Sequence, residues 1–328
     1  MSLNAPALRP LSLGEMFDRA FTIYARNAIP FSSLLVVVIV PFWVLQYIGS
    51  RDLIAAYIAA ISHMAKAGPK AAASDFNALA AHSTGFGPLI ALGYLFGLVA
   101  LPLASAAVVV GVSQVYLNLP VRFAECYRAA LRRLPHVLIL IVMWLFAMIG
   151  AAIALTLVIS IAAFAIAVAT GLLAHARTFF AILGVVVGVA AVCAIVAAMT
   201  MLYLAFAFSF VSTVLEKTDP VRAFSSAFAR IFSKHQFWRS AAVGIALVGI
   251  GLGVDIVFLG VGAYASYATK SPLAYFIVSG LAGLMFSAFG YIAVSVYYYD
   301  VRVRREGLDL QLLADQIAGV ETTARRLI

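Results

Sequence analysis

Charge is what this sequence has least of. Only 11% of its 328 residues are Asp, Glu, Lys or Arg, while 65% are hydrophobic and the mean hydropathy is +1.07. Soluble domains carry about 25% charged residues, so this chain lacks the polar surface to cover a core in water. A cytosolic enzyme is excluded. Cysteine is nearly absent as well. Cys126 and Cys193 stand alone without CxxC spacing, which offers neither a disulfide framework nor a zinc site. No secretory leader is expected, because Arg9, Glu15, Asp18, Arg19 and Arg26 interrupt Met1–Asn27 and leave no apolar core segment. The first membrane helix is therefore expected to act as the insertion signal. The histidines (His63, His82, His136, His175 and His235) show no HExxH spacing and no neighbouring acid cluster. Neither metal-bound carboxylates nor paired histidines are on offer for hydrolysis, and no cofactor is expected.

Long apolar runs are abundant. Six stretches reach the roughly 20 residues a spanning helix needs: Ala28–Ser50, Pro88–Asn118, Val137–Ala174, Thr178–Leu215, Ala241–Ala268 and Pro272–Tyr299. The third and fourth would reach about 57 Å as helices, well beyond a hydrocarbon core of about 30 Å. They either tilt and project or break into re-entrant pieces, the latter giving eight spans. The third has no Pro or Asn to make a hairpin, which favours long tilted helices. The expected fold is an all-α integral membrane protein with six transmembrane helices.

The formal charge of +9 would raise nucleic acid in a soluble protein. Here Lys and Arg flank the apolar runs, so no nucleic-acid partner is expected. Counted between spans, 17 lie on one face and 5 on the other. This bias predicts cytoplasmic N- and C-termini.

The basic segments share a periodicity. Leu13, Met16, Phe17, Ala20, Phe21 and Tyr24 follow i, i+3, i+4, i+7, i+8, i+11, one face of a helix. Phe123, Cys126, Tyr127, Ala130, Leu131 and Leu134 repeat that spacing 110 residues later, and Phe224, Ala227, Phe228, Ile231, Phe232 and His235 do so after another 101. Pro10, Pro120 and Pro220 open the three segments. One membrane domain over 1–328 is expected, built as three repeats (1–118, 119–217 and 218–300) with a cytoplasmic tail, 301–328. Each repeat is an amphipathic interfacial helix followed by a two-helix hairpin. The other reading of this periodicity is that any helix entering a bilayer begins amphipathically.

Few residues in the spans carry chemistry. Asp255 is the one acid well inside a span, where an ionisable group is costly unless paired or hydrated. It is a candidate functional residue, or else it reaches the headgroups or a hydroxyl such as that of Tyr264. Pro41 and Pro102 each remove a helix hydrogen bond and favour kinks, a feature of transporter sites. Gly93/Gly97, Gly184/Gly188 and Gly249/Gly253 suit close internal helix packing. Arg19, Arg26, Arg128, Arg132, Arg133, Arg230, Arg302, Arg304 and Arg305 are candidate contacts for anionic phospholipid headgroups. Tyr297-Tyr298-Tyr299-Asp300 followed by these last arginines reads as an aromatic belt with an anchor.

Two stretches carry a resemblance. The opening, Leu8-Arg9-Pro10-Leu11-Ser12-Leu13-Gly14-Glu15 leading into Phe17-Asp18-Arg19-Ala20-Phe21-Thr22-Ile23-Tyr24, resembles that of the glycerophosphoryl diester phosphodiesterase membrane-domain-like family. So does the ending, Tyr298-Tyr299-Asp300-Val301-Arg302-Val303-Arg304-Arg305-Glu306-Gly307-Leu308-Asp309-Leu310. Between them the likeness is compositional. The resemblance implies an inner-membrane helical domain of lipid-related or accessory role. The namesake enzymes hydrolyse with a soluble barrel that follows the membrane domain, whereas only 28 residues follow Asp300 here, so enzymatic activity is not expected. The expected function is a non-catalytic membrane scaffold or lipid-interacting accessory subunit, partnered by anionic phospholipid or by a membrane or cytoplasmic protein. The alternative is a transporter or channel for a small or amphiphilic solute, using Asp255 and the proline kinks.

Overall fold

Eight helices account for the regular structure among the described residues. The computed structural model describes residues 9–67, 88–172, 177–234, 236–308 and 311, which leaves His82, His175, His235, Lys70, Arg325 and Arg326 outside the described residues. Within them the helices are α1 (Leu13–Arg26), α2 (Ala28–Ala67), α3 (Pro88–Tyr116), α4 (Phe123–Leu172), α5 (Arg177–Leu215), α6 (Pro220–Ile231), α7 (Phe237–Thr269) and α8 (Pro272–Glu306). Six of these contain stretches long and apolar enough to cross a membrane. The third and fourth apolar runs lie in the continuous helices α4 and α5, so the eight-span arrangement falls away.

Local chemistry sets the helix ends. Ser12 opens α1 with a capping box: its hydroxyl accepts from the Glu15 amide at 3.2 Å, and Glu15 Oε2 accepts from the Ser12 amide at 2.8 Å. Asn27 closes α1, donating from Nδ2 to the Ile23 carbonyl at 3.0 Å. Proline begins α3, α6 and α8, where its missing N–H costs nothing. Left-handed residues stop four helices: Asn118 (φ 55°) after α3, Lys217 (57°) after α5, Lys270 (53°) after α7 and Gly307 (61°) after α8.

Two elements run further than the sequence suggested. The first span continues as helix from Ser50 to Ala67, because nothing there breaks it. The second amphipathic segment has no boundary of its own and forms the first turns of α4, which passes through Pro135. Its counterparts are separate helices because Asn27 interrupts after α1 and Phe232–Lys234 after α6.

The chain divides into two compact units. One comprises Met1–Leu134, Val214–Lys217 and Gly249–Ile328; the other comprises Pro135–Thr213 and Thr218–Val248. This division does not follow boundaries at 118, 217 and 300, because α4, α5 and α7 each contribute residues to both units. In the first unit, α2 packs on α3 and α8, and α1 lies against α8. Its core is the second half of α3 (Ala104–Gln114), the end of α8 (Ile292–Val301), Phe31, Leu34 and Leu35 of α2, and one side of α1. In the second unit, Val137, Leu140, Leu204, Phe208, Ala227, Ile231 and Val243 form the core, with Trp144 and Phe206 rings 4.7 Å apart. The most apolar stretch of α5 contains no buried residue, the surface a helix presents to lipid.

Small residues set helix spacing, though not at all the positions the GxxxG pairs suggested. Gly97 receives the Phe42 ring and Gly93 receives Gln46, as internal packing requires. Gly188, Gly249 and Gly253 face open space instead, and their neighbour Gly251 takes the Phe286 ring. A Cβ on Gly280 would stand 2.5 Å from Trp43 Cζ3, and one on Gly290 would meet nothing within 4 Å. Gly280→Ala is expected to destabilise the first unit by about 1–3 kcal/mol through overpacking, with Gly290→Ala nearly silent. Thermal unfolding of both variants in detergent checks this, and equal melting temperatures would refute it.

Candidate functional site

The densest polar chemistry lies where the N-terminal segment meets the end of α8. Asp300 is 2% exposed, and a buried carboxylate is tolerated only when paired and hydrogen-bonded. Its Oδ1 accepts from the Leu11 amide at 2.7 Å, and Arg304 Nε reaches Oδ2 at 3.0 Å. Arg304 also donates from a terminal nitrogen to the Leu11 carbonyl at 2.6 Å. Asp300 and Arg304 thus hold both backbone groups of Leu11, joining residues 289 positions apart. The i, i+4 spacing of the two side chains on one helix face makes the clasp possible.

A second network flanks it. Glu216 accepts a short hydrogen bond from the Tyr298 hydroxyl and lies 3.4 Å from Arg302 Nε, which also binds Glu306 at 2.8 Å. Tyr297, Tyr298 and Tyr299 are buried, which corrects the reading of an interfacial aromatic belt. The N-terminal segment and α1 cover that end of α8, and the Tyr299 ring packs 4.6 Å from that of Tyr116. Arg302 and Arg304 likewise direct their guanidinium groups into these internal contacts rather than outward as open headgroup ligands.

The start of α4 is docked in a related way. Gln114, buried near the end of α3, accepts from the Arg122 amide at 3.1 Å and from Cys126 Sγ at 3.3 Å. Its Nε2 donates to Glu125 at 3.3 Å, and Tyr127 donates to the Leu34 carbonyl at 2.5 Å. Ahead of α6, Thr218 donates to the Ser212 carbonyl at 3.4 Å.

The other predicted residues are scattered. Arg128 and Arg132 are exposed on α4, Arg133 is half-buried beside the Lys217 carbonyl, Arg230 is half-buried on α6 and Arg305 is exposed on α8. Asp255 is exposed on α7 and has no hydrogen bond or ion pair among the described residues. Tyr264, nine residues on, lies about 13.5 Å further along and on the opposite side of the helix, so the two cannot meet. Pro41 is exposed and Pro102 half-buried, each inside a continuous helix. No group of three His, Cys, Asp or Glu side chains gathers among the described residues to hold a metal.

A cavity of about 400 Å³ lies between α1 and the residues ending α3. Arg9, Asp18, Arg19, Thr22, Arg26 and Asn118 form much of its wall. Arg9 is held by Glu15 at 2.6 Å, and Arg19 is hydrogen-bonded to Tyr116. Sequence reasoning named Arg19 and Arg26 but missed Asp18 and Asn118, which join the site only because α1 lies beside the end of α3. It also missed Glu216 and Gln114, for which no linear signal exists.

Two predictions follow from these contacts. Asp300→Ala leaves Arg304 and the Leu11 amide without their buried acceptor, and is expected to cost about 3–5 kcal/mol. Asp300→Asn, which still accepts from Leu11, should lose less; equal melting temperatures for Asp300→Ala and the wild type would remove the clasp from the account. At α1, the Ser12 amide and then Arg9 hold the Glu15 carboxyl down to about 2 from 4.5. A depressed folded value means this contribution is present above pH 4.5 and lost as pH falls toward 2. The α1 amides should therefore exchange faster over that window, an increase that Glu15→Gln abolishes. Because Glu15 is solvent-exposed, high salt should shrink the effect.

No curated protein and no solved structure matches this chain. A family model matches residues 1–324, nearly the whole of it. The protein is a helical, multi-span membrane protein belonging to the family described as a domain of unknown function, DUF8558.

Proposed function

We propose that this protein is a non-catalytic scaffold or lipid-interacting accessory unit of a bacterial inner membrane, with both termini cytoplasmic. One observation carries the reading. The three amphipathic segments bury and expose matching positions. Met16, Cys126 and Ala227 are fully buried, as are Ala20, Ala130 and Ile231. The next residue in each segment is a large apolar side chain left exposed: Phe21 at 61%, Leu131 at 53% and Phe232 at 42%. A segment docked by two buried apolar residues, with a bulky apolar group turned outward and arginines nearby, suits the headgroup region. The same register three times supports a threefold repeat of interfacial helix and hairpin.

The 17-to-5 division of basic residues supports the orientation. Arg128 and Arg132 are exposed beside Leu131, which suits them to meet anionic headgroups. Each basic residue near an anionic surface contributes about 1 kcal/mol, or roughly fivefold in affinity.

The test is lipid enrichment around the full-length protein in nanodiscs of mixed neutral and anionic phospholipid. Anionic lipid should be enriched around the wild type and less so around the Arg128→Gln/Arg132→Gln double variant. Equal occupancy by neutral and anionic lipid would sink the proposal.

A further inference from the structure

Asp255 is out of keeping with everything around it in the sequence. Apart from it, the six apolar runs contain no Asp, Glu, Lys, Arg or His. On α7 it stands 16 residues after Arg239 and 15 before Lys270, about 24 Å and 22 Å along the axis at 1.5 Å per residue. Half of a hydrocarbon core is about 15 Å, so the carboxyl group lies near the midplane. Its short side chain reaches neither headgroup layer from there. A carboxylate at that depth is costly unless it is paired or hydrated. Asp255 has no hydrogen bond or ion pair among the described residues.

The helix face that carries it has a defined shape. α8 covers one side of α7: the Phe286 ring fits at Gly251, the Tyr275 ring at Gly262, and the Tyr275 amide donates to Ser266 Oγ at 2.9 Å. Beside those contacts, Leu252, Asp255, Ile256 and Leu259 follow i, i+3, i+4, i+7, which places them on one face. All four are exposed. Three branched apolar side chains on such a face are at home in lipid. The carboxylate among them is not. A single polar residue within an apolar helix seam is the feature that sets register and partner when helices pair.

We propose that this face docks a transmembrane helix of another protein, one that carries a lysine or arginine near its midpoint. Charge complementarity selects the occupant. Opposite charges attract most strongly where the dielectric is low, and intramembrane charges characteristically pair with one another. A second copy of this chain does not supply the cation, because none of its six apolar runs contains one. It would bring only another carboxylate to the same depth. Leu252, Ile256 and Leu259 take the apolar side of the incoming helix, while Asp255 sets its depth and register. This pairing goes beyond the lipid-anchoring role and rests only on α7 crossing the membrane.

The test places the full chain in vesicles of neutral phosphatidylcholine with labelled synthetic helices of about 20 leucine and alanine residues, and reads association by energy transfer. One peptide has a central lysine, a second a central leucine and a third a central aspartate. The lysine peptide should bind at least tenfold more tightly than the leucine peptide. Asp255→Asn should abolish that preference, and Asp255→Lys should transfer it to the aspartate peptide, a reversal that misfolding cannot mimic. The Arg128→Gln/Arg132→Gln variant should keep the wild-type preference even where lipid enrichment is lost, so the two proposals fail separately. Equal binding of the lysine and leucine peptides, or a preference that survives Asp255→Asn, would overturn the proposal. Energy transfer between labelled copies of the chain that Leu252→Trp removes would also overturn it, by assigning the face to a second copy. So would labelling of Asp255→Cys by a water-soluble maleimide beyond that of Cys126 and Cys193, which would place the position in a hydrated cavity.

Discussion

A buried carboxylate cannot be left alone, and this constraint organises the better-packed unit. Asp300 lies near the end of the last apolar helix, out of reach of water. It is stable there because Arg304, one turn on, and the Leu11 amide supply charge-assisted hydrogen bonds. The same contacts draw the chain's opening segment onto its closing helix. Once Leu11 is held, the Ser12 cap starts α1 at a defined place, and α1 covers the tyrosines of α8. The cavity wall formed by α1 therefore rests on a contact of which Leu11 alone lines the cavity.

The second amphipathic segment meets the same requirement by different chemistry. A backbone amide ahead of a helix needs an acceptor, and near apolar surroundings an unmet one is expensive. Gln114 supplies it for Arg122; ahead of α6 the contact is instead the Thr218 hydroxyl donating to the Ser212 carbonyl, which satisfies no amide. Asp300 and Gln114, each a polar residue in the last turns of a long helix, receive the segments ahead of α1 and α4. Asp300 does so for the first segment, connecting chain end to chain beginning. The likeness of these two contacts accords with the proposed repeat. The matching residues (Met16, Cys126 and Ala227) can differ in type, because each needs only to fill a docking position.

Much of the fold was legible because membrane insertion reads composition directly. A run of about 20 apolar residues specifies a span whatever its neighbours do, and all six runs appear as helices. Boundaries were less legible. The helix of the first span runs on to Ala67, and the second amphipathic segment merges into α4, because helix continuation needs only the absence of a breaker. The tyrosine run was misread for a related reason. Tyr297–Tyr299 have the composition of an interfacial belt, and only the segment packed over them shows that they are buried.

For the candidate site the division is sharper. The sequence by itself determined the spans, the uneven distribution of basic residues and the amphipathic period of the interfacial segments. These are properties of one residue type or one helix, and they need no knowledge of what lies across the fold. Only the tertiary structure decided that Asp300 holds Leu11, that Arg302 and Arg304 turn inward, and that Arg19, Arg26, Asp18 and Asn118 share one cavity. Those outcomes depend on which helix ends meet, and that is set by packing between segments up to 293 residues apart. No local pattern encodes it, because the free energy that selects it arises only when both partners are present.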